Sequence, residues 1–73
     1  MRIVITEHAK KRLTDYRQTK VEVEDILLAA KKIPGKIQTA TRFRGFRSKS
    51  GRFFDIVVKD TITGRIVITI IGK

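Results

Sequence analysis

The dipeptide Pro34-Gly35 divides this chain into two stretches written in different hydrophobic periods. Before it, apolar residues recur three and four positions apart; after it, they alternate. Proline cannot continue a helix and glycine accepts the backbone that ends one, so a helical layer comes first and a sheet second.

Within the first stretch, Ile3, Val4 and Ile5 form a short buried strand or extended lead-in. Thr6 has the chemistry of an N-cap, and Glu7 complements the dipole of the helix that follows. That helix is expected from Glu7 to about Arg17, with Ala9, Leu13 and Tyr16 on one stripe. A second helix is expected from about Val23 to Lys32, with Val23, Ile26, Leu27, Ala30 and Ile33 on one face. Glu22, Glu24 and Asp25 begin it and Lys31 and Lys32 close it, the charge order that suits the macrodipole. Leu28 lies away from its apolar stripe.

Beyond Pro34-Gly35 the expectation is a meander. Lys36 to about Phe43 makes a first antiparallel strand. Phe53 to Asp60 follows, with Phe54, Ile56 and Val58 on one face and Phe53, Asp55, Val57 and Lys59 on the other. Asp60 to Gly64 is a hairpin loop, and Arg65 to Ile71 returns with Ile66, Ile68 and Ile70 opposite Val67, Thr69 and Ile71. The predicted fold is a single α+β domain over residues 1–73, β-α-α-β-β-β, with two helices on one face of a mostly antiparallel, curved sheet.

Composition removes many functions. The 73 residues contain no cysteine and one histidine, which leaves no disulfide framework, thiolate nucleophile, cysteine-bound zinc or His-rich metal site. The glycines form no phosphate-loop or dinucleotide fingerprint, and Asp15, Asp55 and Asp60 lack metal-ligand spacing. Neither a serine hydrolase signature nor an amphipathic basic helix for a membrane surface is present. No apolar run approaches the roughly 20 residues of a membrane span, and the N-terminus does not read as a signal peptide, so the cytoplasm is the expected compartment. No cofactor or metal is implied.

What remains is charge. Seventeen Lys and Arg against seven Asp and Glu give a net +10. The segment Arg42 to Arg52 holds five cations and no acid, interleaved with Phe43 and Phe46. Such a cluster repels itself unless an anion relieves it, and nucleic acid is the commonest such anion, though an acidic protein serves equally. Phe43 and Phe46 are expected to turn into the core rather than stack on bases. On the first helix His8 and Arg12 stand four apart and project from one side. A proton-transfer group beside a phosphate clamp is what cleavage of an RNA phosphodiester requires. The plainer alternative gives His8 a place in the first helical turn and lays the Arg12 stem over the sheet edge.

The segment Thr6-Glu7-His8-Ala9-Lys10-Lys11-Arg12-Leu13 resembles the His-Ala-x-x-Arg opening of a family of small uncharacterised domains. In that family a second short helix follows, here Val21-Glu22-Val23-Glu24-Asp25-Ile26 to Ile33-Pro34, and a meander ends in a strand like Ile66-Val67-Ile68-Thr69-Ile70. The family is grouped with RelE-like and ParE-like toxins and with barnase-, EndoU- and colicin-type ribonucleases. The resemblance implies a metal-independent ribonuclease, or a toxin component neutralised by an antitoxin. By it, His8, Arg12 and Thr69 are the positions to carry over, and Arg42 and Arg44 match the cationic surface such proteins present to RNA. RelE-like enzymes place catalytic groups near the C-terminus, where Ile71-Gly72-Lys73 offers only Lys73. ParE-like relatives inhibit a topoisomerase, so fold alone does not select RNA cleavage.

The expected function is a small RelE-like endoribonuclease acting on RNA. His8 transfers protons, Arg12 and Arg42 clamp phosphate and transition state, and Thr69 orients. Lys11, Arg44, Arg47, Lys49 and Arg52 hold the strand. The alternatives are a non-catalytic nucleic-acid-binding module and a basic protein that docks an acidic partner such as an antitoxin.

Overall fold

A computed structural model describes residues 2–14 and 20–72. Its elements are β1 (Ile3–Ile5), α1 (Glu7–Arg12), α2 (Val23–Lys32), β2 (Thr41–Arg47), β3 (Phe53–Thr61) and β4 (Gly64–Gly72). The strands form one sheet in the order β1-β4-β3-β2. It is α+β, but the sheet is mixed where a mostly antiparallel one was expected, because β1 runs parallel to β4. A parallel neighbour needs a crossover, and here both helices supply it. Among the described residues, no helix is long and apolar enough to cross a membrane.

α1 starts where Thr6 predicts. The Thr6 hydroxyl accepts from the Ala9 N–H at 3.1 Å and donates to the Ile68 carbonyl at 2.9 Å. One side chain thus caps a helix and extends the β1–β4 ladder beyond its last backbone pair. The helix ends at Arg12, short of the expected Arg17, with Leu13 as C-cap. Tyr16 and Arg17 lie outside the described residues.

α2 spans the expected residues, but its buried face is rotated. Asp25, Ile26, Ala29 and Ala30 are buried, while Val23 is exposed. Val21, upstream of the helix, fills the core at that end in place of Val23. Asp25 is buried because both of its oxygens are used: Oδ2 accepts from the Glu22 N–H at 2.9 Å and Oδ1 from the Lys49 N–H at 3.0 Å.

The first meander strand begins later than its sequence suggested. The backbone of Ile37 is taken by Asp60, whose Oδ2 accepts from the Ile37 N–H at 2.8 Å and whose N–H donates to the Ile37 carbonyl at 2.7 Å. Pairing with β3 therefore starts at Thr41, and the basic segment is a strand as far as Arg47. Phe43 and Phe46 pack against the core as expected, the latter with its ring 5.9 Å from that of Phe54.

Strand β3 keeps its predicted alternation: Phe54, Ile56 and Val58 are buried under the helices. Strand β4 does not. Val58 pairs with Val67 and Val57 with Thr69, so Ile68 is an inserted residue and side-chain parity changes across it. Arg65, Val67 and Ile70 are the fully buried residues of β4, in place of a set two apart. Ile26, Ile56, Val58, Val67 and Ile70 are all fully buried, and each such side chain contributes about 1.5–3 kcal/mol of burial.

Candidate nucleic-acid interface

The helices cover one face of the sheet and leave the other to solvent. Cross-strand register sets what that open face carries. Arg47 pairs with Phe53, Arg42 with Val57, and Val57 with Thr69 on its far side. Asp55 is opposite Ile71, and Lys59 is opposite Ile66, which pairs with Val4 of β1. Arg44 is exposed in the irregularity between Phe43 and Phe46, where Gly45 adopts φ +83°.

The carboxylates, though not the cations, are segregated between the two faces. Of the six acids among the described residues, Glu7 lies on α1 and Glu22, Glu24 and Asp25 lie at the start of α2. Asp60 is turned to the fully buried Arg65. Only Asp55 belongs to the open face, and it is wholly buried there. Its Oδ2 accepts from Arg42 Nε at 2.9 Å and Nη2 at 2.7 Å, and its Oδ1 from the Gly45 N–H at 3.0 Å. This carboxylate pins the β2 irregularity and holds the Arg42 guanidinium flat. The solvent on this face meets Arg44, Arg47 and Lys59, with no exposed carboxylate beside them among the described residues.

The residues singled out in the sequence are distributed as follows. His8 is exposed on α1, and no hydrogen bond to a described residue holds its imidazole. Arg12 Nε donates to the Ile70 carbonyl at 3.3 Å, which places it on the β4 edge one residue from Thr69. Arg42 and Thr69 share one row across the sheet with Val57 between them, about 10 Å apart at the strand spacing. His8 and Arg42 are not brought together: α1 packs on β4, and β2 is the edge strand beyond β3. Lys11 is exposed on α1, while Arg52 is half-buried and its N–H donates to Ser48 Oγ at 3.0 Å. Lys49 is bonded to Glu24, which holds its ammonium above the usual lysine range.

No family model, curated protein or solved structure matches this chain. The interface is therefore read from its own geometry.

Two open-face residues were left out of the sequence candidates: Phe53, and Lys59, which reads from the sequence as the polar alternation of a half-solvated sheet. Both were legible, since alternation from Phe53 to Lys59 places them with Asp55 on the face away from Phe54. Phe53 is 51% exposed, and Arg47 lies with its guanidinium carbon 5.7 Å from the ring centre. Among the described residues, the aromatic ring open to a ligand is thus Phe53, outside the Arg42–Phe46 run.

Proposed function

We propose that this is a small basic RNA-directed protein of RelE-like design that seats single-stranded RNA on the helix-free face of its sheet. The observation that carries this reading is that the described residues of that face present cations and no exposed carboxylate. Arg44, Arg47 and Lys59 are exposed there, and the one acid is buried against Arg42. Neutralising backbone phosphates and releasing their counterions supplies the affinity. The order of two helices followed by a three-strand meander is shared with the architecture that the His-Ala-x-x-Arg resemblance implies, whereas the parallel β1 departs from its antiparallel sheet.

Cleavage is the stronger form of the proposal. His8 would move protons at the β4 edge, with Arg12 beside it and Thr69 one residue from the carbonyl that Arg12 holds. No metal enters this scheme. A binding module without cleavage is favoured by one specific arrangement: Arg42 is bonded to Asp55 and Arg12 to a backbone carbonyl. Both arginines then act first as structural donors.

The test is incubation of the protein, with EDTA present, with labelled single-stranded RNA and with ribosomes carrying messenger RNA, beside His8→Ala. Cleavage lost in the variant, with affinity within a few-fold, supports the nuclease. Salt-sensitive binding without cleavage selects the binding module. Neither binding nor cleavage sinks the RNA reading and leaves an acidic protein, such as an antitoxin, as occupant of the cationic face.

A further inference from the structure

The open face has one feature that phosphate binding does not use. Phe53 sits at the start of β3, directly opposite Arg47 in the β2–β3 register. About half of its surface stays exposed with the Arg47 guanidinium already over the ring. Its sequence neighbour Phe54 is buried at 1% exposure, so strand alternation holds Phe53 outward in a fixed place.

The chemistry of that ring selects its ligand. The face of a phenyl ring is the negative end of a quadrupole, so carboxylates and phosphates are not drawn to it, whereas cations and flat aromatic systems are. The carboxylates of an acidic peptide would satisfy Arg44, Arg47 and Lys59 and leave the exposed half of Phe53 uncovered. A single-stranded nucleic acid has both components, phosphates for the cations and an unpaired base for the ring. A duplex keeps its bases stacked inside and offers none to the ring.

We propose that Phe53 and Arg47 form a seat for one unpaired nucleobase, at the end of the cationic face furthest from Lys59. This rests on the RNA-directed reading above and adds to it a position and a preference for single strands. The seat lies four positions along β3 from the Arg42–Val57–Thr69 row, about 13 Å along the strand. One strand of RNA can therefore engage both places.

The test uses oligouridine carrying a single 2-aminopurine, whose fluorescence falls when the base stacks, with inorganic polyphosphate as a polyanion that has no bases. Variants are Phe53→Leu, which keeps apolar bulk, and Phe53→Trp, which keeps the aromatic face. The expected result is quenching by the unmodified protein and by Phe53→Trp, and loss of quenching in Phe53→Leu. Phe53→Leu should also bind the oligonucleotide about 5- to 100-fold more weakly, while its polyphosphate affinity stays unchanged. Equal RNA binding by Phe53→Leu without quenching in any form overturns the base seat and leaves the RNA-directed reading standing. Equal weakening on RNA and polyphosphate also overturns it, since Phe53 then acts only through the fold. Failure of the unmodified protein to bind the oligonucleotide at all overturns the RNA-directed reading itself.

Discussion

Arg65 grips Asp60 with two donors, Nε to Oδ1 at 2.6 Å and Nη2 to Oδ2 at 2.8 Å, from a side chain wholly removed from solvent. The same guanidinium donates from Nη1 to the carbonyls of Ala30 and Ile33, both at 2.7 Å, and from Nη2 to Gly35 at 2.9 Å. It is the C-terminal cap of α2, supplied from β4. One residue ties the end of the helical layer to the β3–β4 hairpin.

Replacing Arg65 by Met removes the guanidinium from those carbonyls and leaves the Asp60 carboxylate with the Ile37 N–H as its remaining donor among the described residues. The expected loss is about 3–5 kcal/mol, a large share of what a domain of this size holds. Urea unfolding followed by circular dichroism measures it. A loss below about 1 kcal/mol would mean that water replaces the guanidinium at little cost.

Asp60 adds a pH dependence. The Arg65 hydrogen bonds, followed by that from the Ile37 N–H, lower its carboxyl pKa to about 2. A carboxyl depressed on folding stabilises the folded state above its unfolded pKa, and that stabilisation is lost as pH falls through the folded value. The contribution of Asp60 is therefore complete above about pH 4 and fades as pH falls toward 2. Asp60→Asn should lower Tm at neutral pH and narrow the gap to the unmodified protein across that window. Tm curves that stay parallel from pH 5 to 2 would assign the acid sensitivity to other carboxyls.

Thr6→Val removes both the cap acceptor for the Ala9 N–H and the donor to the Ile68 carbonyl. Its expected cost is about 1–2 kcal/mol, and Thr6→Ser should recover most of it. Urea midpoints of the three proteins decide. A Val form as stable as the unmodified protein would show that the two hydroxyl bonds contribute nothing net.

Two glycines separate space from backbone strain. A Cβ at Gly64 would stand only 2.4 Å from the Arg2 carbonyl oxygen, which accepts the Arg65 N–H in the β1–β4 ladder. At Gly45 a Cβ meets nothing within 4 Å, although φ is +83°. Gly45→Ala should cost about 1–2 kcal/mol and Gly64→Ala clearly more, with loss of β1. Amide hydrogen exchange in residues 3–5 reports the second effect.

Salt dependence separates the arginines. Arg44→Gln and Arg47→Gln should each reduce the log–log slope of RNA affinity against salt by about 0.7. Arg42→Gln should leave the slope nearly unchanged, because Asp55 already neutralises it, and should instead lower stability. A slope loss at Arg42 equal to that at Arg44 would show that the pair opens to receive phosphate.

Several parts of the fold were written locally. The Thr6 cap, the bounds of α2, the stop at Pro34-Gly35 and the alternation of β3 each depend on residues within a turn or a strand of one another. Capping chemistry, backbone restriction and side-chain period act over that range. The excess of cations was equally plain, since charge needs no fold to be counted.

The remainder required partners far apart in the chain. Nothing near Ile3–Ile5 specifies that they run parallel to Arg65–Val67, a pairing closed by two helices and two strands. The insertion at Ile68 changes which β4 residues are buried, and the opposing strand creates it. Alternation placed Asp55 on the second face, and only the fold brought Arg42 and Gly45 around it, just as Arg65 read as a strand residue until the end of α2 arrived above it. Periodicity assigns a residue to a face. Only the assembled sheet decides which face the helices cover, and so whether a charge is buried with its counter-charge or left to meet a ligand.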